Sequence, residues 1–85
     1  MMYYFLLSFY AFGLNQPVYE YMVDGRKDNE SNYVLSTDMK VEQLLTKEEC
    51  YKIEDYYNRE IGKRMKMYYA QGYSKVTMGC VPVKF

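Results

Sequence analysis

The chain has 85 residues, of which 49% are apolar and 26% charged, and its eleven basic and eleven acidic side chains cancel. This length fits one domain over residues 1–85, and the composition excludes a disordered chain. Zero net charge also removes any overall field that would steer the protein toward nucleic acid or an anionic membrane. Twelve tyrosines accompany no tryptophan and no histidine, and so many phenol hydroxyls cannot all be satisfied inside a small core.

Three strands are predicted in the first half of the chain. Residues 3–12 form two alternating sets that are both largely apolar. Such a strand belongs in the middle of a sheet or beneath a partner, because water would otherwise meet an apolar face. A stretch containing Gly, Asn and Pro ends it. Residues 18–23 alternate as a second strand, 24–32 predict a turn or exposed loop, and 33–37 resume strand composition.

Residues 46–72 predict a long amphipathic helix. Thr46 and Glu49 fit a capping box, in which the hydroxyl accepts from the Glu49 N–H and the carboxylate accepts from the Thr46 N–H. Gly62 opposes the helix by up to about 1 kcal/mol relative to alanine, but the apolar period continues beyond it and Gly72 supplies a stop. The apolar stripe comprises Cys50, Ile53, Tyr57, Ile61, Met65 and Tyr68.

A last strand is predicted over residues 76–85, where Pro82 lacks a backbone N–H and places that end at a sheet edge or in a terminal extension. The order β-β-β-α-β then predicts an α+β domain. Its sheet has three or four mainly antiparallel strands, and one long amphipathic helix packs on one face. The sequence leaves open whether the chain itself or a second copy covers the first strand.

The two cysteines, Cys50 and Cys80, do not predict a metal site, because zinc normally takes four nitrogen or sulfur ligands and the chain has no histidine. A disulfide would require export. The apolar residues 1–12 lack a basic segment and a small-residue cleavage site, and they are too short to span a bilayer. We therefore expect a cytoplasmic protein with reduced thiols, no metal, no other cofactor and no membrane partner.

The sequence contains no recognisable catalytic set. A helix N-terminus lowers the pKa of a thiol such as Cys50, but Glu48 and Glu49 oppose that effect and no histidine can act as base. The neighbouring carboxylates Glu54 and Asp55 point about 100° apart on a helix and do not converge on one substrate. We therefore expect that the protein is not an enzyme.

The surplus of tyrosine indicates a protein-binding surface, because aromatic side chains anchor protein interfaces. The predicted anchors are Tyr4, Tyr10, Tyr19, Tyr21, Tyr33, Tyr56 and Tyr69. The competing interpretation is that these rings only coat a small sheet, since exposed apolar residues are common on protein surfaces. The expected partner is another protein or a second copy of the chain, which would make a homo-oligomer.

The second half of the helix supplies an alternative function, a nucleic-acid-binding regulator. Its cations are interleaved with tyrosines, and cations contact phosphate while rings stack on unpaired bases. The predicted contacts are Arg59, Lys63, Arg64, Lys66 and Lys75. In a chain of zero net charge, a solvated charged helix face is the competing interpretation.

The chain combines an aromatic first strand (MMYYFLLSFYAFG), a polar hairpin region, a helix that opens with LTKEECYKIEDY, and a terminal strand (SKVTMGCVPVKF). This layout resembles small uncharacterised proteins encoded by bacteriophages and mobile elements. The resemblance implies a protein that binds and blocks a host or defence protein in the host cytoplasm, or one that sequesters a small signalling molecule. The leading expectation is a small non-catalytic interaction protein that inhibits such a target by stoichiometric binding.

Overall fold

The computed structural model describes residues 1–29 and 32–83, which form an α+β domain with the predicted β-β-β-α-β order. The elements are β1 (Met2–Ala11), β2 (Tyr19–Lys27), β3 (Tyr33–Ser36), α1 (Lys47–Ala70) and β4 (Tyr73–Val83). The predicted final strand is confirmed as far as Val83. Residues 84 and 85 of that prediction, and residues 30 and 31 of the predicted loop, lie outside the described residues.

The four strands form one antiparallel sheet in the order β3-β2-β1-β4. β1 pairs with β2 on one side and along its whole length with β4 on the other, so that Phe5 lies opposite both Val23 and Cys80. Of the two predicted places for this two-sided apolar strand, inside the sheet or beneath a partner, the structure shows the first. Of the two predicted strand counts, four is correct.

The helix packs on one face of the sheet, over β1 and β4. Its apolar stripe faces the sheet, where Cys50, Ile53 and Ile61 are buried. The Phe5 ring of β1 stacks on Tyr57 of α1 with ring centroids 5.5 Å apart. Within the described residues, the α1 backbone does not approach β2 or β3, so that half of this sheet face has no helix above it.

Both predicted ends of α1 are confirmed. The Thr46 hydroxyl accepts from the Glu49 N–H at 3.2 Å, and the Glu49 Oε1 atom accepts from the Thr46 N–H at 2.9 Å. The helix runs through Gly62, and Gly72 follows it with φ at 98°. Glycine adopts this left-handed conformation without the steric cost that a side chain would bring.

The connection between β3 and α1 enters the sheet beside the start of β1. Leu45 and Tyr3 exchange two backbone hydrogen bonds of 2.8 and 2.9 Å, and the Gly25 N–H donates to the Gln43 carbonyl. A Cβ atom on Gly25 would lie 2.8 Å from the carbonyl oxygen of Leu44. The connection therefore requires glycine at this position of β2, because a side chain would push it away.

The loop predicted over residues 24–32 begins too early. β2 extends to Lys27, and the Asp24 side chain is fully buried. Its carboxylate accepts from the Arg26 Nε–H at 2.8 Å and from the Glu42 N–H at 2.9 Å. Burial alone would raise the pKa of Asp24, but these donors hold it below its usual value. Charge and glycine content suggested a turn, whereas the neighbouring Arg26 together with the distant Glu42 N–H makes a buried carboxylate tolerable here.

The cysteines give a second correction, because Cys50 in the first turn of α1 and Cys80 in β4 form a disulfide. Their Cα atoms lie 6.0 Å apart, inside the usual range of about 4.4–6.8 Å. The prediction of reduced thiols is wrong. It rested on the missing export signal, whereas the packing of the helix start over β4 brings the two sulfur atoms together. In the described part of the chain, no helix is long and apolar enough to cross a membrane.

Candidate functional site

A groove opens between one flank of α1 and the β2–β3 half of the sheet. Two adjoining cavities of about 610 and 760 Å³ form it, and Tyr56 and Tyr57 of α1 line both. We call this feature the tyrosine groove. Its tyrosines are Tyr19, Tyr21, Tyr33, Tyr56, Tyr57, Tyr68 and Tyr73. The groove exists because the helix covers one half of the sheet and leaves the other half open.

Strand periodicity supplies the floor of the tyrosine groove. Tyr19 and Tyr21 lie opposite Phe9 and Leu7 of β1, on the face that carries the helix, because alternate residues of a strand share a face. The Phe9 ring meets Tyr21 and Tyr73 edge-on, with ring centroids 5.9 and 5.6 Å apart. Phe9 thus holds both of these rings in the orientations that aromatic pairs prefer.

The helix supplies the wall. Tyr57 points into the core, where burial first and then the neighbouring Tyr56 phenol raise its pKa. Tyr56 lies edge-on to Tyr57 with ring centroids 5.2 Å apart, and 53% of it is exposed. Glu60 and Arg64 continue this flank at intervals of four residues. The Arg64 Nη2 atom lies 3.8 Å from Glu60 Oε2, so this part of the rim carries paired charges.

One end of the tyrosine groove is closed by a hydrogen bond between β3 and α1. The Tyr33 hydroxyl donates to Glu49 Oε2 at 2.6 Å, and the same carboxylate caps the helix. This hydrogen bond, together with burial, raises the pKa of Tyr33 to about 12. It also lowers the pKa of Glu49, with help from the Thr46 N–H. The Lys27 Nζ atom lies 5.0 Å from the centre of the Tyr33 ring, a distance typical of a cation–π contact.

The structure brings some of the predicted tyrosine anchors together and separates the others. Those in the groove are Tyr19, Tyr21, Tyr33 and Tyr56. Tyr4 and Tyr10 lie opposite Val81 and Lys75 on the other face of the sheet. Tyr69 lies next to Phe12, with ring centroids 6.1 Å apart, and does not line the groove.

Sequence reasoning did not identify Tyr57, Tyr68 and Tyr73 as groove residues. The helical period assigned Tyr57 and Tyr68 to the buried stripe, and both do face the sheet. Both side chains nevertheless line the groove, because the groove lies along the side of the helix, next to the buried stripe. The 3.6-residue apolar period of α1 predicts which side of the helix faces the sheet. It does not predict how far the sheet extends beyond the helix, and that extent decides where the groove lies.

The predicted nucleic-acid contacts do not form one surface. Arg59, Lys63 and Lys66 are exposed on α1, whereas Arg64 lies on the groove rim. Lys75 lies on the opposite face of the sheet, with Nζ 4.6 Å from the centre of the Tyr10 ring. The nearest carboxylates lie one helical turn away: Arg59 is 3.5 Å from Asp55, and Lys63 is 3.5 Å from Glu60.

The tyrosine groove presents side-chain groups that are able to contact another molecule. It offers ring faces, phenol hydroxyls and one carboxylate–guanidinium pair, which are groups that anchor and orient partners at protein interfaces. Among residues 1–29 and 32–83, no group of three or more His, Cys, Asp or Glu side chains is placed to hold a metal ion.

No protein-family model matches this chain, no curated protein matches it, and no solved structure matches its fold. The resemblance to phage and mobile-element proteins therefore stays a prediction. Function is inferred from the tyrosine groove itself.

Proposed function

We propose that this protein is a small non-catalytic interaction module that binds a partner protein through the tyrosine groove. In keeping with its phage-like layout, it acts as an inhibitor that binds and blocks a host or defence protein. The observation that carries this proposal is the concentration of tyrosines along one open groove. The residues Tyr19 and Tyr56 are 49% and 53% exposed there, as anchors awaiting a partner would be.

The length of the groove supports a polypeptide rather than a small signalling molecule as the ligand. Its lining extends along α1 from Glu49 to Gln71, about 33 Å at 1.5 Å per residue. An extended segment of about ten residues has the same length. A small molecule would occupy only one of the two cavities and leave most of the tyrosine rings without a contact.

The fixed orientation of the groove rings supports tight binding. Phe9 contacts Tyr21, Tyr68 and Tyr73 edge-on, and Phe5 stacks on Tyr57. Rings already held in place lose little conformational entropy when a partner binds. Their hydroxyls can then hydrogen-bond the peptide groups of an extended segment, because a phenol both donates and accepts.

The cytoplasmic location stays a prediction, and the Cys50–Cys80 disulfide bears on it. Structural disulfides persist mainly in oxidising compartments, whereas cytosolic reductants keep most thiols reduced. Trapping thiols by alkylation in a denaturing lysis buffer, which exposes the buried Cys50, distinguishes the two locations. Fully alkylated cysteines would support action in the cytoplasm, and unreactive cysteines would support action in an oxidising compartment.

Tyr56 and Tyr69 provide a matched test of the groove, because they lie on different flanks of α1 and are 53% and 50% exposed. Immobilised wild-type protein is used to capture partners from nuclease-treated host lysate, and affinity for each purified partner is then measured by calorimetry. We expect Tyr56→Ala to weaken binding at least about tenfold, the effect of losing an interface anchor. Tyr69→Ala should leave the affinity unchanged.

A partner that binds the Tyr56→Ala and Tyr21→Ala variants as tightly as wild type would contradict the proposal. So would a partner whose affinity falls only with Tyr69→Ala, because that result places the interface on the other flank of α1. Circular dichroism of each variant shows whether the fold is retained, so that a lost affinity reports on the groove.

A further inference from the structure

The sheet face opposite α1 has an apolar centre, and no helix of residues 1–29 and 32–83 lies above it. Even-numbered residues of β1 point to this side, and Leu6 lies there between Met22 of β2 and Gly79 of β4. We define the open face by Tyr4, Leu6, Tyr10, Thr77, Gly79 and Val81. The connection that binds Asp24 lies over the far end of β2, and Met22 and Ser8 on this side of the sheet are buried. Apart from Thr77, which is exposed, the residues that define the open face are half-buried.

Gly79 at the middle of the open face is not explained by the chain around it. It lies in the interior of an eleven-residue strand, with regular pairing to β1 from Met2 to Tyr10. Its φ is not positive, and a Cβ atom there would meet nothing within 4 Å in the described structure. Glycine weakens a strand, and in a strand interior it often marks a place where another backbone or a ligand approaches closely.

The charges beside the open face are self-complementary. Glu20 lies opposite Ser8 on the β2 side of β1, and Lys75 lies opposite Tyr10 on the β4 side. A two-fold axis parallel to β1 places β2 of one copy over β4 of the other. Glu20 of each copy then lies two residues along the strand direction from Lys75 of its partner, within reach of that long side chain, and the same contact occurs twice, as two-fold symmetry requires.

We propose that the open face binds a second copy of this chain, sheet against sheet, with Gly79 at the centre of the contact. A side-chain-free position at the centre lets the two sheets approach closely, and the paired charges fix their relative direction. The tyrosine grooves of the dimer face outward on opposite sides. The dimer does not depend on what the grooves bind.

Gly79→Lys tests the contact, with Tyr56→Lys as a control that adds the same charge on the opposite side of the molecule. Light scattering on the full chain should give wild-type protein twice the 10.3 kDa monomer mass. Gly79→Lys should raise the dissociation constant at least about 100-fold, because it buries an unpaired charge, and Tyr56→Lys should leave it unchanged. The proposal is overturned if wild-type protein stays at 10.3 kDa up to about 1 mM, a concentration typical of very weak association. It is also overturned if the dimer survives Gly79→Lys.

A mixing experiment tests the same face without changing Gly79. Glu20→Lys and Lys75→Glu should each weaken the dimer alone, because each places like charges opposite one another across the two-fold axis. An equimolar mixture should restore dimers, since the two variants complement each other at both contacts. A mixture that remains monomeric, with both variants folded by circular dichroism, overturns the proposed arrangement even where Gly79→Lys prevents folding.

Discussion

At the scale of single residues, Glu49 connects helix formation to the tyrosine groove. Its Oε1 atom accepts from the Thr46 N–H at the start of α1, and its Oε2 atom accepts from the Tyr33 hydroxyl of β3. The carboxylate must be ionised to accept both bonds fully, and the phenol must keep its proton to donate. The hydrogen bond between Tyr33 and Glu49 is therefore weakened both at low pH, where the carboxylate is protonated, and at high pH, where the phenol is deprotonated.

Tyr33→Phe isolates this bond. The pKa of Glu49 is lowered from 4.5, so the stabilisation is present above about pH 4.5 and is lost as pH falls through the lower folded value. The pKa of Tyr33 is raised from 10.0 to about 12, so the stabilisation is present below pH 10 and is lost as pH rises toward 12. We expect urea unfolding to show wild type about 1–2 kcal/mol more stable than Tyr33→Phe at pH 7.

This difference should shrink below about pH 4 and above about pH 10. Tyr56→Phe is the control, because that ring is 53% exposed in the same groove, and its effect should stay within about 0.5 kcal/mol at every pH. A difference between wild type and Tyr33→Phe that is constant from pH 3 to pH 11 would show that Glu49 and Tyr33 are not coupled in solution.

At the scale of elements, the disulfide joins the first turn of α1 to β4 across 30 residues of chain. Closing a loop of this length restricts the unfolded chain and stabilises the fold by about 3–4 kcal/mol in the chain-entropy model. We expect a reducing agent to lower the free energy of unfolding of wild type by about this amount. The Cys50→Ala/Cys80→Ala variant should be similarly destabilised and should not respond to the reductant. A wild type whose unfolding curve is unchanged by the reductant would contradict this prediction.

At the scale of the whole molecule, the distribution of charge argues against the nucleic-acid alternative. Arg59 and Lys63 on the exposed side of α1 lie near carboxylates, and Lys75 lies on another face. Binding through phosphates would require several unpaired cations on one surface. Fluorescence anisotropy with a labelled single strand should therefore detect no binding at 50 mM salt. Binding that falls steeply with salt and after Lys63→Glu/Arg64→Glu would establish the alternative function.

The sequence by itself determined the features that depend on local physics. The capping box at Thr46 and Glu49, the 3.6-residue period and the stop at Gly72 located α1, and all three are confirmed. The two apolar faces of β1 predicted a strand inside the sheet or beneath a partner, and the first of these holds. Each of these features is encoded within one helix or one strand, so neighbouring residues contain the whole signal.

Only the tertiary structure decided the features that join distant parts of the chain. The helix lies over β1 and β4 rather than over the centre of the sheet, and this lateral placement opens the tyrosine groove. The same packing brings Cys50 to Cys80, and the connection before α1 buries Asp24. Periodicity specifies which face of an element is buried but not what lies against it, because that depends on how all the elements pack together.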